Sequence, residues 1–145
     1  MNEQSLSLRL TRVGEQIPDQ ARLADIGSDH AYLPVALMLQ NKIQYAVAGE
    51  VVKGPFESAS RQVKKNGLSD KITVRLADGL AAIHPDDQID TVVIAGMGGT
   101  LIRTILENGK SQQKITGKER LVLQPNVGER TLREWLQENN YMILH

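Results

Sequence analysis

Glycines beside carboxylates mark the places in this sequence where chemistry could be done. Asp25-Ile26-Gly27-Ser28-Asp29-His30, Gly49-Glu50, Ala77-Asp78-Gly79 and Gly96-Met97-Gly98-Gly99 each close a short apolar, β-rich run. Glycine lets a backbone bend sharply or approach a ligand closely. A carboxylate accepts hydrogen bonds from hydroxyls and amines. Taken singly, each turn also reads as ordinary connection chemistry: Asp29 as a helix cap, Asp78-Gly79 as a turn, Glu50 as a solvated acid. Only their convergence points to a site.

The elements that must position them follow from periodicity. Leu6, Leu10, Val13 and Ile17 line one face of an amphipathic helix that ends at Pro18-Asp19. Strands are expected at 22–26, 45–49, 72–76, 89–95 and 121–123, and a sixth begins at 141–144. Helices are expected at 32–41, from Pro55 to Asn66-Gly67, from the Gly98-Gly99 loop to about Gly109, and at 129–138. Such alternation builds βαβ units around a parallel sheet. The segment 107–119 is polar and reads as a helix end followed by a mobile surface loop. The expected fold is α/β and Rossmann-like: a mostly parallel sheet with helices on both faces, preceded by one helix, in a single domain over 1–145. The sheet reads as cut short at its C-terminal end, because a trailing strand needs a partner.

In such a sheet ligands sit outside the carboxyl ends of the strands, which is where all four turns fall. A dinucleotide fingerprint would place glycine where Asp29 stands. A carboxylate beside a pyrophosphate is repulsive, whereas the sulfonium and ammonium groups of S-adenosylmethionine are cations. The first turn therefore favours a methyl donor over NAD. Glu50 suits the ribose hydroxyls, a feature that NAD enzymes share, and Asp78 suits the exocyclic amine of an adenine. Gly96-Met97-Gly98-Gly99 and Gln124-Pro125-Asn126 lie toward a substrate. With His30, His84 and His145 the only histidines and no cysteine, neither a metal site nor a Ser-His-Asp arrangement is expected.

Bulk properties narrow the classes further. Hydrophobic residues make up 41 % and charged residues 23 % of 145 residues, ordinary for one globular domain. No run approaches the roughly 20 apolar residues that span a bilayer, and the first residues lack a secretion signal. Seventeen basic residues balance seventeen acidic ones, so RNA binding would need a local patch; Arg61, Lys64, Lys65, Lys71 and Arg75 form one candidate, or a solvated helix face and strand end. An NAD-dependent oxidoreductase and a non-catalytic RNA-binding module remain as alternatives to a methyltransferase.

Asp25-Ile-Gly-Ser-Asp-His-Ala-Tyr-Leu-Pro34, Gly49-Glu-Val-Val-Lys-Gly-Pro55, Ala77-Asp-Gly-Leu80, Ile94-Ala-Gly-Met-Gly-Gly-Thr-Leu-Ile102 and Leu123-Gln-Pro-Asn126 resemble the bacterial tRNA (adenine-N1) methyltransferases that modify adenine 22. The resemblance covers essentially the whole chain. It implies a class I methyltransferase fold, S-adenosylmethionine as donor, a D-arm adenine of tRNA as acceptor, and a cytoplasmic monomer. It also implies that Asp25, Gly27, Ser28, Asp29 and His30 form the donor loop, that Glu50 holds the ribose, and that Asp78, Gly79 and Gly96 complete the donor site. Met97, Gly98, Gly99, Gln124, Pro125 and Asn126 would face the acceptor, with Asp29 the candidate catalytic carboxylate. Members of that family continue into a helical C-terminal domain, which is expected to be absent from these residues.

Overall fold

Leu23 packs on one face of the central sheet while Ala24 and Ile26 pack on the other. The same alternation separates Ala46 and Ala48 from Val47, and Val93 from Val92 and Ile94. Strands buried on both faces need this two-sided apolar pattern. The computed structural model describes residues 6–144.

The elements are α1 (Leu8–Glu15), β1 (Ala21–Ile26), α2 (Tyr32–Leu39), β2 (Ile43–Glu50), α3 (Lys53–Lys65), β3 (Ile72–Leu76), β4 (Thr91–Met97), α4 (Gly99–Ser111), β5 (Arg120–Pro125) and α5 (Glu129–Glu138). Short 3-10 turns at Gly79–Ala82 and Pro85–Asp87 connect β3 to β4. All strands are parallel, in the order β3-β2-β1-β4-β5. Residues of α1, α2 and α3 join the cluster on one face; α4, α5 and the first 3-10 turn cover the other. The fold is therefore the expected α/β, Rossmann-like one.

Strand order reverses between β1 and β4, which pair through Ile26 and Ile94. The carboxyl ends of those two strands thus flank the crevice where open α/β sheets take ligands. Between Ala95 and Met97 the β4–β5 register shifts. Gly96, at φ +79°, is the residue left out of the ladder, and such bulges re-aim the chain beside sites.

Two expectations are corrected. Residues 141–144 form no strand. The Tyr141 amide donates to the Leu136 carbonyl at 2.9 Å, and its ring stacks on Trp135 with centroids 6.2 Å apart. Tyr141 is thereby held against α5, while residues 141–144 line a cavity of about 970 Å³ beside β5. The polar stretch after residue 107 is not a free loop either. α4 runs to Ser111, Ile115 is buried, and Lys114 Nζ donates to the Ile83 carbonyl at 2.8 Å. Ile115 anchors it to the core and Lys114 to the β3–β4 connection.

Candidate active site

β1 ends in a turn stitched to the end of β2. The amides of Gly27 and Ser28 both donate to the Gly49 carbonyl, at 2.9 and 3.2 Å. Gly27 lies at φ +71°, and a Cβ there would stand 2.4 Å from Met97 Cε. The positive φ favours glycine at 27, and the flexible Met97 side chain fills the space a Cβ would take, which brings the β1 and β4 turns together.

Asp29, His30 and Ala31 then take three consecutive positive φ values, 49°, 68° and 59°. Non-glycine residues adopt this region at a cost of about 1–3 kcal/mol each, and keep it only where their surroundings impose it. Here the surroundings do. His30 Nδ1 bonds Ser58 Oγ on α3, and Asp29 Oδ1 lies 3.3 Å from His30 Nε2. Ser58, His30 and Asp29 thus touch one another in turn, a contact that the histidine count alone did not reveal. The Asp29 side chain is 73 % exposed, so water screens it. The chain of contacts ties the turn to α3. Asp29 is not the cap of α2: Ala31 holds that position without a side-chain cap.

Two carboxylates near this turn are buried. Asp25 is 5 % exposed and Glu50 6 % exposed. Burial pushes the Asp25 carboxyl up to about 7, helped by the charges of Glu50 and Asp29 and opposed by the Ser28 hydroxyl and Arg9. Ser28 Oγ donates to Asp25 Oδ2 at 3.2 Å. Burial also raises Glu50, against the pull of the Asp29 backbone amide and His30. Glu50 Oε2 is buried and has no hydrogen-bond partner. Buried carboxylate oxygens normally find donors, so this one is positioned for a donor supplied from outside the chain.

Asp78 is exposed at the end of β3, where the Ala77 amide donates to the Glu50 carbonyl at 2.8 Å. Gly79, at φ +56°, turns its Cα toward Ile105 of α4. On the other side, Gln124 organises the ends of β4 and β5. Its Oε1 accepts from the Gly96 amide and from Arg9 Nη1, each at 3.0 Å, and its Nε2 donates to the Pro125 carbonyl at 3.2 Å. The Asn126 amide donates to the Met97 carbonyl at 2.8 Å, and the Gly99 amide to the Val127 carbonyl at 2.6 Å. Gly99 is needed for packing, since a Cβ would meet Gly128 O at 2.0 Å.

The structure thus brings Asp25 to His30, Glu50, Gly96, Met97 and Gln124 to Asn126 to one rim. Among the proposed basic patch, Arg75 is withdrawn: it bonds Asp87 at 2.5 and 2.9 Å and the Ala82 carbonyl at 2.7 Å. Burial alone would push the Asp87 carboxyl up, but Arg75 and the His84 amide outweigh it and hold it low. Arg9 and Ser58 were not foreseen. Both come from helices whose sequence periodicity reports only which face is apolar. Among the described residues, no cluster of His, Asp or Glu could hold a metal ion, and no helix is long and apolar enough to cross a membrane.

A family model described as tRNA (adenine(22)-N(1))-methyltransferase matches residues 23–145. The chain belongs to this family. It is 54 % identical over 144 residues to the tRNA (adenine(22)-N(1))-methyltransferase of Bacillus subtilis (strain 168), an alignment covering 99 % of this chain and 59 % of that protein. Its structure is similar to that of Streptococcus pneumoniae Sp1610 in complex with S-adenosyl-L-methionine, with a TM-score of 0.93 and 49 % identity over 97 % of this chain and 65 % of the other. It is also similar to M. capricolum TrmK in complex with S-adenosyl-homocysteine, with a TM-score of 0.86 and 36 % identity over 97 % and 61 % of the two chains. The chain therefore spans less than two thirds of the length of each of these relatives.

Proposed function

We propose that the whole protein transfers a methyl group from S-adenosyl-L-methionine to N1 of adenine 22 in tRNA, with residues 1–145 as its donor-binding domain. The unpartnered, buried Glu50 Oε2 carries this reading. A buried polar atom without a partner is unfavourable by about 1–3 kcal/mol, and a ribose hydroxyl would supply the missing donor. The neighbouring Asp25 and Asp29 suit a cationic ligand and oppose a pyrophosphate, which supports the methyl donor over NAD.

When bound, S-adenosyl-L-methionine supplies a methyl group made electrophilic by a positively charged sulfur. Asp25, Gly27, Ser28, Asp29 and His30 would hold the amino-acid end, Glu50 the ribose, and Asp78 and Gly79 the adenine. Gly96 borders both halves. Met97, Gly98, Gly99, Gln124, Pro125 and Asn126 would face the acceptor base. Adenine N1 presents an in-plane lone pair, so no proton must leave before attack, and the protein mainly aligns the reacting atoms. Asp29 on the rim can stabilise the cationic product or accept a proton from the exocyclic amine. The base must leave its stack to reach this crevice. The reading carries with it the monomer that the family resemblance implies, and a tRNA substrate supports a cytoplasmic location.

The deciding experiment incubates the whole protein with labelled donor and total tRNA and maps the labelled nucleoside. N1-methyladenosine at position 22 is expected. No label, or label on another nucleoside, removes the reading.

A further inference from the structure

Beyond its pull on the Asp25 carboxyl and its bond to Gln124, Arg9 has no role assigned so far. It stands in the first turn of α1, exposed, and reaches the rim from outside the sheet. Its guanidinium nitrogens and carbon lie 3.3–3.7 Å from where a Gly96 Cβ would be. The Arg9 guanidinium therefore packs directly over the glycine at the bulge. Gln124 Oε1 holds it there, and because the Gly96 amide donates to the same oxygen, both lone pairs of that oxygen are engaged. The amide cannot flip without losing two donors, so Arg9 has a fixed anchor at the end of β5.

The charge around it is segregated. Asp25, Asp29 and Glu50 make the β1–β2 side of the rim acidic. That suits a cationic donor and repels a phosphodiester strand. The chain as a whole has zero formal net charge, so it offers no general attraction to RNA, and a charge placed at the crevice matters more. A guanidinium offers five N–H donors in a planar fork that matches two phosphate oxygens, and Gln124 uses Nη1.

We propose that Arg9 is a substrate-binding residue: anchored on Gln124 over Gly96, it holds a phosphodiester of the acceptor strand at the β4–β5 side of the crevice. This rests on the tRNA-methyltransferase reading above. It gives α1, which lies outside the alternating βα units, a direct part in placing the acceptor.

The test compares wild type, Arg9→Met and Arg9→Lys in the whole protein, using tRNA methylation kinetics and tRNA affinity across a salt series. S-adenosylhomocysteine binding reports that the fold and donor side are intact. Arg9→Met should raise KM for tRNA roughly tenfold, as for loss of a charge-assisted hydrogen bond. It should also flatten the slope of log affinity against log salt by about 0.7–0.9, one phosphate contact. Arg9→Lys should restore the slope but only part of the affinity, because an ammonium lacks the fork. S-adenosylhomocysteine should bind all three alike. A wild-type slope in Arg9→Met, whether kcat falls or not, overturns the inference and leaves Arg9 a prop for Gln124. Joint loss of S-adenosylhomocysteine and tRNA binding also overturns it. A wild-type protein that methylates no tRNA removes the functional reading, whereas an active wild type with an insensitive Arg9→Met removes the inference alone.

Discussion

The two sides of the rim are built from opposite materials. At the ends of β1 and β2 stand two buried carboxyls, Asp25 and Glu50, in a turn held by backbone hydrogen bonds between consecutive strands. At the ends of β4 and β5 stand glycines, amides and one guanidinium, with Val127 72 % exposed beside them. The first side withdraws charge from water and raises the carboxyl of Asp25. The second fixes the directions of neutral groups and leaves them open. The contrast matches what each side would have to do: one recognises a small cation tightly, the other admits part of a large polyanion.

Asp25 gives the sharpest test of that contrast. Its folded-state carboxyl titrates near 7, above the ordinary 3.8. Below about pH 4 the group is protonated in both folded and unfolded chains and carries no penalty. Between about 4 and 7 only the unfolded chain ionises, so stability is lost as pH rises, and above 7 the loss is constant. The full effect is on the order of 4 kcal/mol, at about 1.4 kcal/mol for each pH unit in that window. Asp25→Asn should remove it, so the difference in unfolding free energy between variant and wild type should grow from pH 4 to 7 in urea titrations. A constant difference would mean that burial does not control this carboxyl. Near pH 6, binding of a cationic donor should release a proton, seen as a calorimetric enthalpy that varies with the buffer's ionisation heat.

Gly99→Ala tests the other side through packing. Its Cβ would meet backbone, Gly128 O at 2.0 Å, which cannot rotate away, and a loss of about 3 kcal/mol is expected. A melting temperature equal to wild type would show that the 127–128 loop moves freely, and that this side is less fixed than it looks.

Glu50→Ala should weaken donor binding by roughly 1.5–3 kcal/mol with little change in stability. Asp29→Asn, at a screened and exposed position, should change donor affinity by less than about 1 kcal/mol. Calorimetry with S-adenosylhomocysteine checks both. Equal losses would erase the distinction between buried and exposed carboxylates. A fall in kcat for Asp29→Asn at unchanged donor affinity would make Asp29 the carboxylate that serves the reacting base.

Legibility in the sequence followed the same division. Residues 25–30, 49–50 and 77–79 sit at strand ends that a local apolar pattern marks out, so the β1–β2–β3 side was readable turn by turn. The helix at 129–138 was also exact in its bounds, because Leu132 and Trp135 punctuate its buried face. The β4–β5 side was readable only as a list of candidates. Its geometry depends on a bulge at Gly96, on the Gly99–Gly128 approach and on Arg9, none of which leaves a local trace. Residues 141–144 form an apolar run like the start of a strand, but an apolar run does not supply a pairing partner, and here ring packing on Trp135 took precedence.

The hydrogen bond from Arg9 to Gln124 joins residues 115 apart in sequence, and this has a consequence for how the protein is made. Pairing β1 with β2 needs only neighbouring residues, and during synthesis both emerge while β5 is still untranslated. Contacts of long sequence separation close late, because loop entropy opposes them until other structure has formed. The β1–β2 turn can therefore take shape on the growing chain, whereas the guanidinium at the crevice mouth reaches its station only once β5 is in the sheet. Pulse-labelling hydrogen exchange during refolding should accordingly protect Gly27 and Ser28 before Gly96.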